Sequence, residues 1–206
     1  MSGCNLVYLL EGKVYINLTN KCTNDCVFCI RSIKDDVVGT DLFLDSENFT
    51  AQEVINQLSK LGNMSEEIVF CGYGEPMLKL DIMKEVAKYI KNNFPNTRIR
   101  VNTNGHANLV YKRNVLGELK GLIDEFSISL NAENEEMYNK ISLPHIKGAY
   151  EGVKNFIKDS VNLGFDTTAT IVTVYKNYLI DKDKCIEIAK ELGAKFRERT
   201  WIENGY

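Results

Sequence analysis

Cys22-Thr23-Asn24-Asp25-Cys26-Val27-Phe28-Cys29 places three thiols at spacings of four and three residues, just after the apolar alternation Val14-Tyr15-Ile16-Asn17-Leu18. Three thiolates on one short loop can hold three corners of a cube-shaped iron–sulfur cluster, which leaves the fourth iron open to a small chelating molecule. The competing reading is a structural zinc loop. Zinc wants four ligands, usually with a second pair far along the chain. The sequence offers no second Cys-x-x-Cys and no His-x-x-x-His. The ligand count therefore favours a cluster on Cys22, Cys26 and Cys29.

Working outward, 206 residues with 44% hydrophobic content suffice for one domain, 1–206, with a sizeable core. A net charge of −3 gives no support for a bulk nucleic-acid partner. No apolar run approaches membrane-spanning length, and Met1-Ser2-Gly3-Cys4 lacks the basic start of a signal peptide, so a cytoplasmic location is expected. The six cysteines read as reduced thiols and cluster ligands rather than disulfides.

The elements alternate. Leu6 to Leu10, Glu11-Gly12 and Lys13 to Leu18 form a hairpin entering the first main strand. The polar stretch from Arg31 to Asn48 is either a lid or a surface loop. Thr50-x-x-Glu53 is a capping box ahead of Val54, Ile55, Leu58 and Leu61 at helical spacing. Further strands are expected at Ile68–Phe70, Arg98–Val101, Phe126–Leu130, Thr168–Val174 and Lys195–Trp201. Helices are expected around Ile82–Ile90, around Val115, Leu116 and Leu119, from Tyr150 to Val161, and around Ile186–Leu192. The segment with Tyr138 and Pro144 reads as polar and leads to the long helix. Six strand–helix units argue for parallel βαβ crossovers, too few for a closed eight-fold barrel. The expected fold is α/β, an open partial (β/α)6 barrel with a parallel sheet. Every motif falls at the C-terminal end of a strand, where the chemistry of barrels gathers.

Other motifs keep two readings each. Gly72-Tyr73-Gly74-Glu75-Pro76 is an ordinary tight turn or a close approach to a ligand's ammonium group. Asn102-Thr103-Asn104-Gly105 and Ser129-Leu130-Asn131-Ala132 are caps and turns or partners for a ribose or carboxylate. Lys21, Arg31 and Lys34 are a solvated surface or cations that raise a cluster's potential. Cys71 is a packed small residue or a substrate-facing thiol. Cys4 and Cys185 have no partner pattern. His106 and His145 read as exposed loop histidines or proton shuttles. Arg197 and Arg199 pair at the surface or clamp a carboxylate or phosphate.

The Cys-x3-Cys-x2-Cys loop with Phe28 before its last cysteine resembles that of the radical S-adenosylmethionine (SAM) enzymes. The resemblance runs from Lys13 to Trp201 and implies a [4Fe-4S] cluster on Cys22, Cys26 and Cys29. Its open iron would chelate SAM, and an electron from an electron donor such as flavodoxin or ferredoxin would yield a 5′-deoxyadenosyl radical that abstracts hydrogen. Tyr73-Gly74-Glu75, after Gly72, resembles the Gly-Gly-Glu motif that holds the amino group of SAM, with Tyr73 in place of a glycine. The resemblance further implies SAM contacts at Asn102, Thr103, Ser129 and Asn131, with Thr173 near the adenine. The run Phe-Cys-Gly-Tyr-Gly-Glu-Pro, Asn-Thr-Asn-Gly-His, Ser-Leu-Asn-Ala looks most like the TatD-associated radical SAM proteins, whose name implies a TatD-type hydrolase partner. A small-molecule or nucleoside-like substrate is expected. A glycyl-radical activase and a non-catalytic iron–sulfur or zinc protein are the alternatives.

Overall fold

The alternation that leads into the cysteine loop forms strand β2 (Lys13–Ile16), with Val14 and Ile16 buried. A computed structural model describes residues 5–32, 36–37, 39–62, 65–173 and 175–201. Glu11 and Gly12, both at positive φ (50° and 76°), turn β1 (Val7–Leu10) back antiparallel to β2. A two-residue ladder, β3 (Asp36–Val37) with β4 (Thr40–Asp41), follows the cysteine loop. Then come α1 (Ala51–Ser59), β5 (Glu67–Phe70), α2 (Leu80–Asn93), β6 (Arg98–Thr103) and α3 (Ala107–Tyr111). The chain continues through β7 (Glu125–Ser129), α4 (Glu135–Ser142), α5 (Ala149–Asn162), β8 (Asp166–Thr173), α6 (Lys182–Glu191) and β9 (Lys195–Thr200).

The main sheet runs β1-β2-β5-β6-β7-β8-β9, and every pairing from β2 onward is parallel. Because β1 and β9 lie at opposite ends of that order, the sheet is open. The partial barrel of six parallel strands is therefore present, with a hairpin strand added at its first edge.

Side chains alternate across the strands. Ile68, Phe70, Ile99, Val101, Phe126, Ile128, Ala169 and Ile171 join one core with Val54 and Leu58 of α1, Met83 and Ile90 of α2, and Phe156 and Ile157 of α5. The capping box on α1 is made: Thr50 N donates to Glu53 Oε2 at 2.8 Å and Glu53 N to Thr50 Oγ1 at 3.4 Å. Such a cap stabilises by about 1 kcal/mol, less than one buried leucine. Near the strand starts a row of charges crosses the sheet: Lys13–Glu67 (2.7 Å), Arg100–Glu67 (3.2 Å), Arg98–Glu125 (3.2 Å), Arg98–Asp166 (3.3 Å) and Lys195–Asp166 (2.8 Å). Partly exposed pairs of this kind contribute at most about 1 kcal/mol each, so the apolar layer dominates.

Two elements differ from expectation. Val115, Leu116 and Leu119 are fully buried, but Leu116–Leu119 is a 3-10 turn. Lys112 in the left-handed region (φ 53°) ends α3 before them, and Asn108 Oδ1 takes the Val115 N–H at 2.9 Å. The segment with Tyr138 is the helix α4, capped by Asn134, whose side chain accepts from Met137 N at 2.8 Å. Around Leu42 and Leu44 the chain is strapped down. Leu42 and Leu44 are buried, and Asn17 Nδ2 and Asn20 Nδ2 donate to their carbonyls at 2.6 and 2.9 Å. Lys34, Cys4 and Val174 lie outside the described residues.

Candidate functional site

The parallel strands bring the cysteine loop, the glycine turn and the Asn102–His106 segment to one end of the sheet. Glu75 N donates to Lys21 O at 2.8 Å, joining turn and loop. A Cβ on Gly74 would lie closer than 3.0 Å to the backbone of Thr19, Asn20 and Lys21, and one on Gly72 would strike the Asn17 side chain. Glycine is required there by close approach rather than by φ. Tyr73 turns away into a small core with Tyr8 and Leu42, and Phe43 meets it edge-on at 5.2 Å. Its ring fills space outside the turn, so the tyrosine leaves the turn's backbone intact.

The Glu75 carboxylate is buried and engaged inward. Oε1 accepts from Thr103 Oγ1 (2.7 Å) and Met77 N (3.0 Å), and Oε2 accepts from Asn104 N (2.7 Å). Burial pushes its pKa up to about 7 against the pull of those three donors. The carboxylate thus ties the Thr103 side chain and the Asn104 backbone to the glycine turn.

Asn104, which carries no local signal of its role between Asn102 and His106, is the side chain beside the loop. Its Nδ2 donates to Thr23 Oγ1 at 2.8 Å and lies 3.5 Å from Cys22 Sγ. His106 is fully buried, not the exposed loop residue expected. Its Nδ1 bonds Thr23 Oγ1 at 2.8 Å and its Nε2 bonds the Tyr138 hydroxyl at 2.9 Å. Helix α4 and the residues just after it add further support to the loop. Val27 N donates to Ile141 O (2.9 Å), Asp25 N to Leu143 O (3.2 Å) and His145 N to Thr23 O (2.9 Å). The His145 ring is exposed, with Nε2 2.8 Å from Asp25 Oδ2.

All cysteines among the described residues are free thiols. Burial pushes Cys22 up to about 11 and Cys26 up to about 12, so ligation must displace protons held tightly by these thiols. Among the described residues no three His, Cys, Asp or Glu side chains converge on a point that one ion would occupy.

The remaining candidates spread around the same rim. Phe28 packs edge-to-face on Tyr175 (6.2 Å), which meets Trp201 (4.9 Å). Asn102 lies beside Cys71, whose thiol burial pushes up. Asn131, at φ 62°, donates to Ser142 Oγ at 3.0 Å. Ser129 is half-buried at the end of β7. Thr173 donates to Glu198 Oε1 at 2.7 Å. Arg31 is tied to Asn20 O (2.9 Å) and Asp25 Oδ1 (2.8 Å). Cys185 is buried on α6.

His106 makes stability depend on pH. Burial lowers its pKa from 6.5 to about 4, so between those values the unfolded chain binds the extra proton and the folded state loses ground as pH falls. Urea unfolding of the metal-free protein is expected to show a loss of about 2–3 kcal/mol from this group between pH 7 and 4.5. His106→Gln should flatten that part of the profile; an unchanged slope would refute the assignment.

The family model of the radical SAM superfamily matches residues 16–182. The chain belongs to that superfamily of enzymes. This radical SAM chain is 24% identical over 177 residues to an uncharacterized protein of Methanocaldococcus jannaschii, covering 83% of this chain and 57% of that one. It is 25% identical over 185 residues to a probable GTP 3′,8-cyclase of the same organism, covering 87% and 55%. It thus spans about half the length of the curated relatives it matches. Among solved structures, anSMEcpe with bound AdoMet shares the radical SAM fold at a TM-score of 0.64 and 17% identity, covering 92% of this chain and 51% of that one.

Proposed function

We propose that the chain is the catalytic domain of a radical SAM enzyme acting on a small or nucleoside-like substrate, with Cys22, Cys26 and Cys29 holding three corners of a [4Fe-4S] cluster. One observation carries the reading: the Glu75–Lys21 backbone bond and the fit at Gly74 hold a three-thiol loop and a glycine turn together at the strand ends. The residues suit the group. The donors are all thiols, and the Asn104 amide beside Cys22 Sγ is the kind of contact that tunes a cluster's potential. Asn102 and Asn131 each keep a buried side-chain oxygen without a bond. Such an orphan acceptor costs about 1–3 kcal/mol, which a ribose hydroxyl at the strand ends would recover.

When bound, the cluster and SAM supply one-electron cleavage of the sulfonium and hydrogen abstraction by the adenosyl carbon. The chain's own part is to hold and exclude. The main chain of Gly72, Tyr73 and Gly74 accepts the ammonium, while Glu75 fixes Thr103 and Asn104. Asn102, Ser129 and Asn131 meet the sugar and carboxylate. Phe28 and Tyr175 cover the loop against water. A flavodoxin- or ferredoxin-type donor provides the electron. Free thiols suit a cytoplasmic, reducing location, and the likeness to the TatD-associated group makes a TatD-type hydrolase the partner to test. The nucleotide in the name of the probable GTP 3′,8-cyclase accords with a nucleoside-like substrate.

Anaerobically reconstituted protein, reduced with dithionite and given SAM, is expected to form 5′-deoxyadenosine. A fully loaded cluster with no 5′-deoxyadenosine would overturn the reading.

A further inference from the structure

The amide of Asn104 is fixed from both ends. Its Oδ1 accepts the His106 backbone N–H at 3.1 Å, so the amide nitrogen faces the cysteine loop. One of that nitrogen's two hydrogens goes to Thr23 Oγ1 at 2.8 Å, and Cys22 Sγ lies 3.5 Å away as acceptor for the other. The Cys22 thiol stands here for the thiolate it becomes on iron, and a charged acceptor strengthens such a bond.

The hydrogens then run in one direction. Thr23 Oγ1 accepts from Asn104, so its own proton needs an acceptor, and His106 Nδ1 lies 2.8 Å from it. This network assigns the ring proton to Nε2, which meets the Tyr138 hydroxyl at 2.9 Å. Tyr138 Oη also accepts from Asn24 Nδ2 at 3.4 Å. It bonds onward to Ser142, the side chain that draws the Cys26 thiol down against the upward push of burial. With the ring proton on Nδ1, two donors would meet at Thr23 Oγ1 and its hydroxyl would have to turn elsewhere. His106 is fully buried, so each ring bond has to be met within this network.

We infer that Asn104 donates an N–H···S hydrogen bond to the cluster thiolate of Cys22, and that His106 is the positioning residue that holds it there through Thr23. Such a bond favours the more negative, reduced cluster and so raises its potential. The role rests on the cluster reading given above and adds to it which side chains set the ease of reduction.

Potentiometric titration of the reconstituted, SAM-free protein, followed by the EPR signal of the reduced cluster, tests it. Asn104→Ala is expected to disfavour reduction about tenfold, a potential about 59 mV lower for one electron. Two changes at His106 separate positioning from packing. Asparagine ends at the δ position and still accepts from Thr23, whereas glutamine ends at the ε position and reaches only Tyr138. His106→Gln should therefore lower the potential in the same direction, and His106→Asn should recover most of the loss. Ser160→Ala, which breaks a buried pair with Thr167 at 2.8 Å near the start of β8, controls for lost stability and should keep the wild-type potential. Proton–nitrogen NMR of the metal-free protein is expected to place the His106 ring proton on Nε2. The idea fails if that proton sits on Nδ1, if cluster-loaded Asn104→Ala keeps the wild-type potential, or if the two loaded His106 variants behave alike. Each of those results leaves the cluster reading standing. Wild-type protein that binds no [4Fe-4S] cluster overturns that reading and this role with it.

Discussion

Cys26→Ala is expected to strip most of the iron from the reconstituted protein and to cut 5′-deoxyadenosine formation by more than 100-fold. Outer partners of metal ligands are already worth about 10–100-fold, and Cys26 is read as a ligand. Its neighbourhood argues that the loss is chemical rather than structural. Asp25 N and Val27 N keep their bonds to Leu143 O and Ile141 O whatever side chain lies between them. Far-UV circular dichroism should therefore be unchanged. Cleavage persisting within tenfold of wild type, in folded protein, would remove Cys26 from the ligand set.

Gly74→Ala should be the most damaging single-methyl change in the chain. The new Cβ would press on the backbone of Thr19, Asn20 and Lys21, and main chain at a strand end cannot move aside as a side-chain tip can. Overpacking of this kind costs about 1–3 kcal/mol, occasionally more, and here the strain falls on the entry to the cysteine loop. A lowered urea midpoint and poorer iron retention are both expected. Gly117→Ala, with nothing within 4 Å of its Cβ and no positive φ, is the matched control and should stay within about 0.5 kcal/mol of wild type. Equal behaviour of the two variants would show that the close approach at Gly74 has no energetic weight.

What could be read from the sequence was what local chemistry dictates. The cysteine spacing, the Thr50–Glu53 box and the alternation of Phe126 to Leu130 each carry their meaning within a few residues. Helix α4 is not legible in the sequence because its buried face is only Tyr138, Ile141 and Ser142, too few apolar positions to register at helical period. His106 looked idle because its partners, Thr23 and Tyr138, are 83 and 32 residues away. Asn104 is silent for the same reason, its neighbour Cys22 being 82 residues distant. Glu75 was legible as an acceptor; that Thr103 and Asn104 claim it emerges only when β5 and β6 lie side by side.

The distance in sequence between the thiols and their scaffolding also sets an order of events. Asn24 and Tyr138 are separated by 114 residues, so during translation the cysteines emerge well before the helix that braces them. At about 5–20 residues per second, a ribosome leaves that hairpin and loop exposed for roughly ten seconds. Metallation of a properly seated centre thus belongs to the late stages of biogenesis, and oxidants that reach the nascent polypeptide in that interval encounter the thiols before their shelter is built.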